Sequence, residues 1–193
     1  MAISEITSLD PAKAFEFAGT GVVSQVYDRL LDFPAGRYDK PEPWLSESWK
    51  VSADGLVWTF NLRKDVKFHS GNPVTADDVV YSFQRVIYLK DQPAFILTQF
   101  GLTPESIRAL DKSTVQITLT KKYAGGLFLA CMTAAVASVV DSQVVKQHIT
   151  KTDKYPEGDF GLTWLSQNSA GSGPFILRKW EKGDSVVMDA NPS

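Results

Sequence analysis

The sequence predicts a mixed α/β domain with a largely antiparallel component, and three observations lead there. Segments of period two pair across short turns, at 48–63 and 105–119; segments of helical period stand among them without regular alternation; and 193 residues, 44% hydrophobic and 22% charged, suffice for a real core. Hairpins dominate, which disfavours a doubly wound sheet, and two small sheets are expected. Twenty basic against 22 acidic side chains, a net charge of −2, leave no general positive field for a phosphate backbone, so nucleic acid is not an expected partner. Cys131 is the only cysteine, which excludes an internal disulfide and a thiolate metal cluster. The apolar stretch Leu127 to Val140 is interrupted by Thr133 and Ser138 and falls short of the roughly 20 residues a membrane helix needs. Met1-Ala2-Ile3-Ser4-Glu5 carries neither a basic nor an apolar leader, so no signal peptide is expected in this sequence.

Taken in order, Ile3 to Ile6 alternates weakly and reads as a short strand, ended by Leu9-Asp10-Pro11. Between Thr20 and Leu31, Val22, Val23, Val26, Tyr27 and Leu30 share one helical face. Phe33-Pro34-Ala35-Gly36 and Lys40-Pro41-Glu42-Pro43 then break regular structure and mark a boundary. Leu56, Trp58, Phe60 and Leu62 alternate as a half-buried strand, with Trp49 and Val51 preceding them across Ala53-Asp54-Gly55 in a hairpin. Thr75 is a cap for a helix over 75–90, whose Asp77 and Asp78 suit the dipole better than they suit acid/base work. Val115, Ile117 and Leu119 follow Ile107 and Ala109 in a second hairpin around Asp111-Lys112-Ser113. Helices are expected over Tyr123 to Met132 and, capped by Ser142, over Ser142 to Ile149. Ser166 to Ser172 reads as a return linker, Gly171-Ser172-Gly173-Pro174 as a flexible turn, and 174–190 as a third strand pair.

No catalytic constellation stands out. His69 and His148 belong to no zinc-binding spacing, His69-Ser70 lacks an orienting third group, and the apolar neighbours of Cys131 predict a buried, inert thiol. Gly19-Thr20-Gly21 precedes helical pattern but lacks the further glycine and lysine of a phosphate loop. No metal or cofactor is therefore expected. Many of the aromatics cluster near prolines and loops, among them Phe15, Phe17, Phe33, Tyr38, Trp44, Phe95, Phe100, Tyr155, Phe160 and Trp164; together they suit stacking on a small ligand.

Six strings in fixed order then carry a resemblance. Ser8-Leu9-Asp10-Pro11, Gln25 to Leu31, Pro43 to Trp49, Asp54 to Gly71 (D-G-L-V-W-T-F-N-L-R through V-K-F-H-S-G), Pro73 to Val79 and Gly171 to Phe175 together resemble the landmarks of the extracytoplasmic solute-binding proteins of ABC importers, the dipeptide, oligopeptide and nickel-binding family (family 5). They cover nearly all of this chain but less than half of a full-length member, so the chain reads as a piece of the first lobe. The resemblance implies a type II periplasmic-binding-protein fold, with residues 1–40 as the first part of lobe I, 41–168 as an inserted α/β sub-domain and 169–193 as the return to lobe I.

It further implies a peptide or related small solute held between two lobes, delivery to an ABC permease in the membrane, a periplasmic or extracytoplasmic location, and no chemistry on the ligand. By position in the family pattern, the solute-facing residues are Phe15, Glu16, Phe17, Phe95, Thr133, Ala134 and Ala135. The last three are small and uncharged where relatives carry a bulky or basic residue, which suggests a roomier pocket without an anion clamp. Self-association of the truncated lobe through uncovered sheet edges is a further expectation. The competing class is a hydrolase using His69, Asp77 or Cys131, and a glycan-binding module with exposed tryptophans is a third.

Overall fold

The computed structural model describes residues 5–192. It is mixed α/β, with antiparallel sheets of two, four and two strands, one more sheet than the hairpins led us to expect. Helix α1 (Phe17–Val26) precedes β1 (Leu31–Asp32), β2 (Glu42–Pro43), β3 (Ser46–Val51) and β4 (Val57–Leu62). Helix α2 (Ala76–Leu89) and the single turn α3 (Phe95–Thr98) lead to β5 (Ile107–Asp111) and β6 (Thr114–Thr118). Helices α4 (Gly125–Cys131), α5 (Ser142–Lys146) and α6 (Leu162–Leu165) precede the closing hairpin β7 (Phe175–Glu181) and β8 (Ser185–Ala190).

The central sheet has the order β3-β4-β6-β5, so the two hairpins read from the sequence are joined edge to edge. Gly55 makes the first turn at φ 77°, where a side chain would be strained. Trp58 lies opposite Ile117 and Phe60 opposite Val115, while Ile107 and Ala109 continue the same rows on β5. Trp58, Phe60 and Leu62 are buried, and α2 packs Val79, Phe83 and Val86 into the same core. A smaller core joins Ala14, Val23, Val26 and Tyr27 to Val140, Val145, Leu165 and Ala170.

Four expectations are corrected. The first helix runs 17–26 rather than 20–31: Tyr27 is extended (φ −121°, ψ 147°), and residues 28–30 spend their carbonyls on the amides of Val139, Leu45, Trp44 and Ser46. Helix α5 stops at Lys146, and its cap is Asp141, whose Oδ1 accepts from the Gln143 and Val144 amides at 3.0 and 3.1 Å, not Ser142. The glycines of 171–173 are not a flexible turn: a Cβ on Gly171 would stand 2.0 Å from the Val26 carbonyl oxygen, and one on Gly173 would stand 2.7 Å from the Gln25 carbonyl oxygen. The strand at Ile3–Ile6 lies partly outside the described residues, and Glu5 and Ile6 are not in a strand.

One polar face of α2 fastens the parts together. Asp78 accepts from the Thr75 amide (2.9 Å) and hydroxyl (2.6 Å) through one oxygen and from the Ser142 amide (3.0 Å) through the other. Ser82 donates to the Asp78 carbonyl and accepts from the Val140 amide at 2.9 Å. Arg85, one turn on, makes a bidentate pair with Asp10 at 2.7 and 2.7 Å and donates from Nε to the Phe160 carbonyl. Asp10 and Arg85 are both fully buried. Between them these groups fix the 5–16 segment and the 140–160 segment against a single helix.

Candidate functional site

The 5–16 segment is shaped by short-range polar contacts. Asp10 Oδ1 accepts from the Ala12 amide at 2.8 Å and Ser8 Oγ from the Asp10 amide at 3.1 Å, which bends the chain at Pro11 so that Ala12 and Ala14 point into the protein and Lys13 and Phe15 point out. Glu16 then folds back, accepting from the Thr7 amide (2.6 Å), the Thr7 hydroxyl (3.0 Å) and the Phe15 amide (3.1 Å). Burial pushes its acidity the other way, yet these donors hold its carboxyl below the usual carboxylate range. Glu16 therefore shapes the loop from within.

With Glu16 drawn in, the rings on either side are left out in solvent. Phe15 is 41% exposed, Phe17 92% and Phe95 54%. Phe15 and Phe95 meet edge to face with centroids 6.0 Å apart, although 80 residues separate them in sequence. Phe95 opens α3, and α1 and α3 both pack on the 3-10 turn Ala135–Ala137. Thr133 is partly buried and donates its hydroxyl to the Ala130 carbonyl at 2.7 Å, leaving its methyl and the small Ala134 and Ala135 beside that turn. The sequence-derived residues are thus brought together around α1, α3 and the 133–137 segment; Phe17 has no ring partner there.

Two cavities flank the ring pair. One, of about 410 Å³, is lined by Thr7, Lys13, Phe15, Glu16, Asp91 and Gln92. The other, of about 500 Å³, is lined by Lys90, Asp91, Gln92, Phe95, Thr98 and Leu102 with Ile87 and Ala94. Asp91 and Gln92 border both. They are not among the residues singled out from the sequence, where they form a polar pair between the left-handed helix end at Lys90 (φ 54°) and Pro93.

The other aromatics named from the sequence are engaged within the protein. Phe33 meets Tyr38, Phe160 stacks on Tyr88 with centroids 5.0 Å apart, Phe100 is buried against Phe128, and Trp164 stacks on His148 at 4.2 Å. Trp44 donates from Nε1 to Asp28 at 2.6 Å, and Ser172 donates to the other Asp28 oxygen at 2.8 Å.

The hydrolase residues stand in separate environments. His69 Nε2 is 2.9 Å from the Gly173 carbonyl, so that nitrogen is the donor, and the His69 amide bonds the Gly171 carbonyl. Ser70 donates not to His69 but to Asp141, at 2.6 Å, which also accepts from Asn72. Asp77 is exposed and lines a cleft of about 910 Å³ with Arg63, Lys64, Lys112 and Lys146, away from His69 and Cys131. Cys131 is half-buried rather than buried; its thiol accepts from Gln99 Nε2 at 3.6 Å, and burial pushes its pKa up, away from the thiolate a nucleophile needs. Among the described residues no cluster of three or more His, Cys, Asp or Glu is arranged to hold a metal ion, and no helix is long and apolar enough to cross a membrane.

Residues 40–193 match the bacterial extracellular solute-binding proteins, family 5, middle region. The chain is 35% identical over 189 residues to the probable D,D-dipeptide-binding periplasmic protein of Escherichia coli K12, covering 96% of this chain and 34% of that protein. Its fold superposes with a TM-score of 0.79, at 30% identity, on a periplasmic binding protein from A. tumefaciens R10 in complex with mannopinic acid, over 98% of this chain and 36% of that one. It superposes at 0.75, with 28% identity, on the periplasmic binding protein DppA of Helicobacter pylori in complex with the peptide STSA, over 97% of this chain and 38% of that one. The chain spans about a third of the length of the relatives it matches.

Proposed function

The chain belongs to the family 5 bacterial extracellular solute-binding proteins, and from that premise we propose that it forms part of lobe I of a receptor that captures a peptide or related small solute outside the cytoplasmic membrane and hands it to an ABC permease. In this reading residues 1–40 and 169–193 belong to the lobe proper and 41–168 to its inserted sub-domain. The family match is the observation that carries the reading. The exposed ring pair of Phe15 and Phe95, the latter on a helix turn that packs on the 135–137 turn following Thr133 and Ala134, supports a binding face on which a small solute stacks and excludes water. Glu16 and Phe17 complete that face, the first by shaping its loop and the second by offering a free ring.

Capture without chemistry is part of the proposal. His69, Asp77 and Cys131 make unrelated contacts, and the acidic or nucleophilic groups near them are committed to caps and loop bonds. The two liganded neighbours hold mannopinic acid and a peptide, so the scaffold accepts different solutes; peptide is our choice because the Escherichia coli relative reported above is by name a probable D,D-dipeptide-binding protein. Mass spectrometry of solute released from the full-length protein purified without refolding tests the reading. Peptides of two to five residues are expected; recovery of a single non-peptide metabolite would replace the solute class, and hydrolysis of added peptide would overturn capture without chemistry.

A further inference from the structure

Three cationic elements converge on the first turn of α2, and separate hydrogen bonds bring each of them there. The Lys112 carbonyl accepts from the Ala76 amide at 2.9 Å, which holds the turn between β5 and β6 against the helix start. The neighbouring Ser113 carbonyl accepts from the Leu62 amide at 2.7 Å and so brings the end of β4, with Arg63 and Lys64 after it, to the same place. Asp78 in turn accepts from the Ser142 amide at 3.0 Å, and α5 then carries Lys146 alongside, its ammonium 4.9 Å from the Tyr81 ring centroid.

These four cations line the open cleft of about 910 Å³ at that helix end, in a chain whose net charge is −2. Arg63 is held by Asp65 through bonds of 3.2 and 3.1 Å, whereas Lys64, Lys112 and Lys146 are exposed and form no ion pair among the described residues. The acids of the cleft do not neutralise them: Asp78 is buried and spent on Thr75 and Ser142, and exposed Asp77 pairs with none of the four. The 14-residue helix adds the positive end of its dipole, and a cleft lined by one sign of charge focuses the field.

We propose that this cleft is a second binding site, which takes an extended acidic segment of a partner polypeptide. It shares no lining residue with the cavities flanking Phe15 and Phe95, and it does not rest on the solute-capture reading. Charge and shape decide the class of ligand. Lysines act as point charges on flexible stems, and the one planar guanidinium is already engaged, so the cleft offers no fork for a single carboxylate or phosphate. Asp77 stands among the lysines and opposes a compact polyanion, while carboxylates spaced along a chain meet the ammonium groups one by one and leave a backbone amide for Asp77. The concave shape favours a protruding segment over a flat lipid surface.

The test uses the full-length protein and two end-blocked, dye-labelled heptapeptides, Gly-Glu-Glu-Gly-Glu-Glu-Gly and Gly-Gln-Gln-Gly-Gln-Gln-Gly, followed by fluorescence anisotropy. Each of Lys64→Gln, Lys112→Gln and Lys146→Gln is expected to weaken the glutamate peptide about two- to fivefold, the usual worth of one exposed ion pair. Wild type at low ionic strength is therefore expected to prefer the glutamate peptide by at least about tenfold, a preference that shrinks as salt rises. Changing all three lysines to Glu is expected to abolish it with the melting transition intact, since all three are exposed. Phe15→Ala with Phe95→Ala is expected to keep it. Equal affinity for the two peptides, a preference that survives in the triple variant, or its loss in the phenylalanine variant overturns the site. Phosphatidylglycerol vesicles that bind wild type more tightly than the glutamate peptide does, and lose that binding in the triple variant, overturn the peptide class in favour of a membrane surface. A wild-type protein that captures no solute yet prefers the glutamate peptide overturns the receptor reading and leaves this site standing.

Discussion

The pair of Asp10 and Arg85 is expected to be costly to break. Both groups are fully buried, the guanidinium is held in a bidentate fork, and its remaining Nε–H goes to the Phe160 carbonyl. Removing one member leaves the other as an uncompensated buried charge, so Asp10→Ala is expected to cost about 3–5 kcal/mol, while Asp10→Leu combined with Arg85→Met recovers most of it. Urea unfolding of the three proteins checks this; equal destabilisation by the single and double variants would mean that shape rather than charge matters. Asp159 provides a pH-dependent case. Burial raises its pKa, but the Thr163 hydroxyl and the amides of Thr150, Thr163 and Gly161 more than reverse this, so the folded value lies below the unfolded one. A depressed carboxylate pKa stabilises the protein above the unfolded value, and the contribution is lost as pH falls through the folded value. The gap in urea midpoint between wild type and Asp159→Asn is therefore expected to be full at neutral pH and to close below the ordinary carboxylate range; a gap independent of pH would contradict the assignment. Sequence reading took Asp10 for a turn residue and did not single out Arg85. The only trace of the pair was a lone arginine, Arg85, on the helix face that carries Asp78, Ser82 and Leu89.

At the scale of elements, the polar caps and glycine contacts set where each helix stops. Thr75 sits at the N-cap in extended geometry, and Asp78 three residues on closes a capping box with it. Thr75→Ala is expected to cost about 1 kcal/mol. Asp78→Ala is expected to cost more, about 2–3 kcal/mol, because Thr75 and the Ser142 amide both lose their acceptor in a buried place; denaturant midpoints order the two. Glycine positions separate sharply by what a methyl group would meet. Gly171→Ala pushes a Cβ against the Val26 carbonyl and is expected to destabilise by several kcal/mol, on the order of an overpacked core. Gly21→Ala, inside α1 with open space around it, is expected to stabilise by about 0.5–1 kcal/mol. A Gly171→Ala protein as stable as wild type would refute the close crossing. Strands and α2 were legible because one buried face imposes a strict period. The end of α1 was not, since its last turn loses to long-range backbone partners at Leu45 and Val139 that no local pattern announces. The candidate site residues Phe15 and Phe95 were named through family position alone, since no local pattern marks them, and Asp91 and Gln92 border the flanking cavities from a short loop that periodicity does not single out.

Across the whole molecule, stability is expected to be uneven, and the closing hairpin is where this can be measured. Strands β4 and β6 are paired on both sides within the four-stranded sheet and carry the buried rows Trp58, Phe60, Val115 and Ile117. The hairpin β7–β8 is paired only with itself among the described residues, packs on α1 along one strand, and leaves Phe175 and Val187 exposed. An isolated two-stranded ribbon is marginal, so its amides are expected to exchange by local opening, while those of β4 and β6 wait for global unfolding. Hydrogen exchange followed by mass spectrometry should give protection at least about tenfold lower across 175–190 than across 57–62 and 114–118. The same open edges predict weak, concentration-dependent association of the isolated chain, restrained by the exposed Arg178–Asp189 and Lys179–Glu181 pairs on the ribbon. Light scattering over rising concentration, with Val187→Lys as the control expected to remain monomeric, tests it. Uniform protection would show that the hairpin folds with the main core as one unit, and a strictly monomeric wild-type chain would show that its charges suffice to guard the edges.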